Sequence, residues 1–206
     1  MASINGISLK KVTEFKGHEG EPCYQGDVYL NNKKIGFWSQ DAWGAVVDNV
    51  CLSLEYSEEM LREKIKKLNI DKAKNITRAN GSSDTIYYSL ESLFSDLLVL
   101  QDHEKIFKKA VKAGYKGVAV ASDGYHGICW KIPSCDIEMY SDEEFYKKLN
   151  VEQSKKEAHF FGEDDYFEHT FKVYRTGFDF TIGEKVSLND IVRKEKTSYS
   201  PLANFK

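Results

Sequence analysis

Apolar and polar residues alternate over Ile7–Phe15, with Ile7, Leu9, Val12 and Phe15 as the apolar members. That period is the mark of a strand with one buried face. Gly17, Gly20 and Pro22 break the pattern and predict a loop. Tyr24–Leu30 resumes it as a second strand, and Asn31-Asn32 supplies a tight turn, because asparagine tolerates positive φ. Lys34–Ser39 reads as a third strand, and after a Gln40–Ala45 loop the partial alternation of Val46–Tyr56 gives a fourth. Together these elements predict an antiparallel β-meander.

The period then changes. Ser57 followed by Glu58-Glu59 is an N-cap with a favourable first turn, and Met60/Leu61, Ile65 and Leu68 recur at helical spacing. A polar stretch, Asp71–Ser83, ends in Asn80-Gly81-Ser82-Ser83 and reads as a loop. Leu90 to Leu100 predicts a largely buried helix. Asp102 predicts the cap of a second one, carrying Ile106, Phe107, Ala110 and Val111 and ending at Gly114. Tyr115–Ala121 and Tyr125–Ile132 predict a hairpin around Asp123-Gly124. Ser141–Glu144 is a capping box for a short helix through Leu149. Phe171–Tyr174 and Phe178–Ile182 predict two strands around Arg175-Thr176-Gly177, and Ser187–Val192 a helical turn or two. Strands, then helices, then strands make an α+β chain rather than a doubly wound sheet. The expected division is a β-meander module at 1–56 and an α+β region at 57–206, or one continuous domain over 1–206.

The 206 residues are 41% hydrophobic and 13% aromatic, enough for a real core. No apolar run approaches the roughly 18 residues that span a bilayer. The opening MASINGISLKKV has no apolar signal core, and the four cysteines form no CxxC pair. Reduced thiols in a cytoplasmic protein are therefore expected. A net charge of −3 argues against a general, strong nucleic-acid binder. Arginine occurs only at positions 62, 78, 175 and 193.

His18 and Cys23 offer an imidazole and a thiol in one glycine-rich loop. Zinc needs about four such ligands, and the rest would have to come from Cys51, Cys129, Cys135, His126, His159 or His169. The plain alternative is a turn whose cysteine packs as a small apolar residue, and no metal or other cofactor is expected. A Cys–His nucleophile needs the same long-range assembly. Phosphate-binding, zincin, hydrolase-elbow and kinase signatures are absent. Two features point to a contact surface instead. Phe37 and Trp38 face opposite ways along a strand, and Trp43 follows in a loop with Gln40 and Asp41, so an aromatic–polar patch of Trp38, Gln40, Asp41 and Trp43 is a candidate hot spot. Core packing of both tryptophans is the alternative. Residues 136–168 carry eleven acids and four lysines, a net of −7, and Glu163, Asp164 and Asp165 could meet a basic groove. A solvated acidic face is the alternative.

The run KGHEGEPCYQGDVYLNNKKIGFWSQDAWG resembles the start of small proteins carried by phages and mobile elements of low-GC Gram-positive bacteria. The resemblance implies an accessory gene product, a group in which inhibitors of host defence, including anti-CRISPR proteins, are common. The expectation is a non-enzymatic binding protein that occludes a basic nucleic-acid-binding surface on a host defence nucleoprotein, a Cas9-class nuclease first, with no membrane. The alternatives are a metal- or thiol-dependent hydrolase using His18 and Cys23, and a non-antagonistic structural accessory domain.

Overall fold

The computed structural model describes residues 1–43, 48–78, 80–121, 129–132 and 171–193. It is mixed α+β and divides into two compact units. One comprises Ser3–Ser95 with Gly183–Lys206, the other Met1–Ala2 with Asp96–Ile182.

In the first unit, β1 (Ser3–Ile4), β2 (Ile7–Lys16), β3 (Pro22–Leu30), β4 (Lys33–Ser39) and β5 (Asn49–Leu52) lie side by side in chain order, each antiparallel to the next. Two-residue turns set the register. Asn5-Gly6 joins β1 to β2 with φ of 52° and 78°, and Asn31-Asn32 joins β3 to β4 with 49° and 69°. These are type I′ values, whose twist matches that of the flanking strands. A bulge at Lys11, φ 52°, shifts the β2–β3 register between Lys10 and Thr13.

The inner face of the sheet carries Ile7, Leu9, Val28, Leu30, Ile35, Trp38 and Val50, all buried. Helix α1 (Glu58–Leu68) adds Leu61 and Ile65, and Tyr88, Leu90, Leu93 and Phe94 complete the core. Ser57 caps α1 as expected, its Oγ accepting the Met60 N–H at 3.3 Å. Arg62 ties α1 to Glu58 at 2.8 Å and to Glu91 at 2.7 Å. Two asparagines of the turns fasten the later segment: the buried Asn5 donates to the Glu184 carbonyl at 2.9 Å and the exposed Asn31 to that of Val186 at 2.8 Å.

The polar stretch after α1 is not only a loop. β6 (Lys74–Thr77) and β7 (Ser83–Ile86) pair as a separate two-stranded sheet, and Asn80-Gly81 lies in its turn. Lys74–Thr77 is polar enough to hide its alternation, and cross-strand pairing supplies what the pattern lacks.

The two helices expected around Asp102 are one, α2 (Leu90–Lys112). Asp102 does not cap; its carboxylate pairs with Lys105 at 2.8 Å on the exposed face, and the helix continues past it. Ser89 Oγ accepts the Ser92 N–H at its start. A Schellman pair closes its end: Tyr115 N–H to Ala110 C=O at 3.1 Å and Gly114 N–H to Val111 C=O at 3.0 Å, with Gly114 at φ 92°.

In the second unit β8 (Gly117–Ala121) lies between β9 (Cys129–Ile132) and β10 (Phe171–Tyr174), all antiparallel. The β8–β9 hairpin exists, but Val120 faces Cys129. A two-residue turn at Asp123-Gly124 would pair Val120 with Gly127, so the register is two residues longer than the dipeptide implies. Of residues 178–182 only Thr181–Ile182 is a strand; Gly177–Phe180 is a 3-10 turn, nucleated by Thr176 and Asp179 as a reciprocal capping box. Ser187 and Asp190 repeat the device at Leu188–Asp190. The helix expected at 141–149 lies outside the described residues.

Candidate functional site

Two chain segments of the first unit build the site. The first, Gly17–Glu21, links β2 to β3. Gly17 donates to the Glu21 carbonyl at 2.8 Å, Gly20 to that of Gly17 at 3.1 Å, and Gly20 takes φ 86°, which glycine reaches without strain. The second, Gln40–Trp43, leaves the end of β4. Gln40 fixes it twice, through its N–H to the Tyr24 carbonyl at 2.9 Å and through its side-chain oxygen, which accepts the Tyr24 N–H at 2.8 Å. His18 N–H then donates to the Ala42 carbonyl at 2.7 Å and joins the two segments.

That bond sets one aromatic ring on another. The His18 imidazole stacks on the Trp43 indole with centroids 4.1 Å apart and planes inclined by 24°. Trp43 remains 75% exposed. A large aromatic is ordinarily among the most buried of side chains, so an indole held in place yet open to solvent is the unusual feature. Acidic residues lie close to both rings in sequence. Glu19 and Glu21 follow His18 in the first segment, and Asp41 stands two residues before Trp43 in the second.

The structure treats the predicted contact residues differently. Trp43 is exposed, and Asp41 and Gln40 are half-buried beside it. Trp38 corrects the expectation, because it is a core residue with no exposed surface. Its indole N–H donates to Asp48 Oδ2 at 2.7 Å, and its ring lies 5.0 Å from that of Phe94. Strand alternation puts Phe37 outward instead, 40% exposed, between Asp27 on β3 and Cys51 on β5. Burial raises the Asp48 carboxyl above its ordinary range, and the Trp38 hydrogen bond offsets part of that. Glu163, Asp164 and Asp165, with His126, Cys135, His159 and His169, lie outside the described residues.

Cys23 is buried, and burial raises its thiol, with Glu21 and then Asp41 adding to the effect. A thiol held protonated is a weak nucleophile. His18 gives its ring to Trp43. Among the described residues no three His, Cys, Asp or Glu side chains group as metal ligands, and no helix is long and apolar enough to cross a membrane.

Sequence reasoning used His18 only as a possible ligand and missed its stacking role. A 25-residue separation from Trp43 leaves no periodic signal. It also passed over His103 in the second unit, buried on α2 with Nδ1 2.8 Å from the Tyr174 hydroxyl. Tyr174 stacks on Phe180 at 4.5 Å, and Phe180 meets Phe107 at 5.3 Å. Burial lowers the His103 imidazole, as does Lys172, while Asp102 opposes both. The Tyr174 hydroxyl is pushed up to about 12, mainly by burial. Both shifts favour the neutral forms, an imidazole and a phenol that share one hydrogen bond.

Compared with protein-family models, curated proteins and solved structures, the chain has no significant match.

Proposed function

We propose that this chain is a binding protein of a phage or mobile element, and that it inhibits a host defence nucleoprotein by covering a basic surface that otherwise holds nucleic acid. The observation that carries the reading is the exposed Trp43, fixed by the His18 stack, on two segments that also carry Glu19, Glu21 and Asp41. A preorganised aromatic anchor with little conformational entropy left to lose suits a protein contact. The carboxylates on the same two segments suit lysines and arginines on the partner. An RNA-guided nuclease of the Cas9 class is the partner to test first, because such enzymes hold their heteroduplex in a positively charged channel.

The experiment is a DNA-cleavage assay with a Cas9-class nuclease from a low-GC Gram-positive host, titrated with the purified chain. Inhibition that weakens on Trp43→Ala, with folding retained, supports the reading. Cleavage that proceeds unchanged at saturating protein removes this partner class. Inhibition equal for wild type and Trp43→Ala removes the site.

A further inference from the structure

The β6–β7 hairpin has an unusual standing within its unit. It forms a sheet of its own, joined to no other strand among the described residues. Of its eight strand residues seven are exposed and Asp84 is half-buried. A lone two-stranded hairpin is marginal in water, yet this one is closely tied. Arg78 pairs with Asp84 across the strands, Thr85 Oγ1 donates to Asn75 Oδ1 at 2.8 Å, and Asn80 Oδ1 accepts the Ser82 N–H at 3.0 Å in the turn. At its base Lys66 lies 4.4 Å over the Tyr87 ring and Lys72 4.3 Å over that of Tyr88. The arm is ordered without a core to order it.

Its charge is also out of keeping with the chain. Residues 64–88 carry six basic and two acidic side chains, a net of +4 in a protein of −3. Lys64 is engaged by Asp190 and Arg78 by Asp84; the remaining cations are the exposed Lys67, Lys72 and Lys74 and the half-buried Lys66, Lys66 and Lys72 each lying over a tyrosine ring. The register gives the two faces different chemistry. Lys74, Ile76, Asp84 and Ile86 share one; Asn75, Thr77, Ser83 and Thr85 share the other. The second holds only short side chains that donate and accept hydrogen bonds.

We propose that this arm binds double-stranded DNA, its polar face set into the major groove and Lys66, Lys67, Lys72 and Lys74 on the flanking phosphates. Three observations select this occupant. A two-stranded ribbon fits the major groove of B-form DNA, whereas the A-form RNA groove is too narrow for it. Asn, Ser and Thr are side chains that can meet base edges. Arms of two copies would bring like charges together, which disfavours self-association through this element. The inference stands independently of the Trp43 site.

The test uses a fluorescein-labelled 20-base-pair DNA duplex and anisotropy at 50 and 200 mM salt. Four phosphate contacts predict a loss of affinity of about 150-fold between those salts. Lys67→Glu/Lys74→Glu leaves both lysine–tyrosine contacts in place. It should weaken binding at 50 mM by roughly tenfold or more and cut the salt effect to about 12-fold, as expected for two contacts. Lys109→Glu/Lys112→Glu, the same charge change on the exposed face of α2, should leave binding within about twofold, since charge away from the contact acts only through a screened field. Absence of duplex binding at 50 mM, equal weakening by the two double variants, or equal affinity for an RNA duplex of the same sequence would overturn the proposal.

Discussion

Trp43→Ala separates contact from folding. The indole offers about 200 Å² when open, and three quarters of its surface is exposed in the free chain. Covering about 150 Å² at about 25 cal/mol/Å² sets a ceiling near 4 kcal/mol. Ordering and imperfect packing at an interface reduce that to about 2–3 kcal/mol, or roughly 30- to 150-fold in affinity. Folding should lose no more than about 1 kcal/mol, the worth of one aromatic pair, because the His18–Ala42 bond that joins the segments is backbone to backbone. Trp38→Ala should do the reverse. It empties a fully buried site and strips the Asp48 carboxyl of its donor, a loss of about 3–5 kcal/mol of stability. Urea unfolding and partner titration, read side by side, decide the matter. A Trp43→Ala protein that unfolds as readily as Trp38→Ala, or that binds its partner at full strength, would refute the assignment of one tryptophan to the surface and the other to the core.

Three further perturbations follow from particular contacts. His103 is buried and its imidazole lowered, so below the ordinary value near 6.5 the unfolded chain takes up a proton that the folded one resists. Protection of the β8 and β10 amides against hydrogen exchange, corrected for intrinsic rate, should therefore fall as pH drops from 7 to 5.5. His103→Phe should flatten that dependence, and an unchanged slope would count against it. At Gly36 an added Cβ would collide with the Cys51 carbonyl and crowd the Leu52 backbone, so Gly36→Ala should cost more than about 2 kcal/mol by forcing β4 and β5 apart; unfolding near the wild-type urea midpoint would contradict the register. Cys51 is exposed and Cys23 buried. With Cys129 and Cys135 replaced by serine, one thiol should react quickly with an aromatic disulfide reagent and the second only on unfolding, and Cys23→Ser should inhibit like wild type, whereas loss of function in that variant would revive the hydrolase alternative.

Local chemistry was legible in the sequence wherever one residue type meets a steric demand by itself. Asn31-Asn32 marked its turn because few residues accept two successive positive φ values. Ser57 and Gly114 marked helix ends because the unpaired N–H and C=O groups there need particular neighbours. Alternation announced the meander strands because one face is dry. These signals act within a few residues and carry the α+β class with them. Where the same signals compete with the rest of the fold they misled. Asp102 has the chemistry of a cap, but α2 runs through it because its buried residues continue at Phe107 and Ala110. Asp123-Gly124 suggested a shorter connection than the register of Val120 and Cys129 admits. Other decisions needed partners distant along the chain. Alternation stated that Phe37 and Trp38 point apart but not which side was dry; Phe94 and Asp48 decided it. His18 found Trp43 across 25 residues, and Lys74–Thr77 became a strand only against Ser83–Ile86. Composition and short-range pattern set the elements, since backbone preference is local. Which faces are buried, and so which side chains are left to meet another molecule, is decided only by long-range packing.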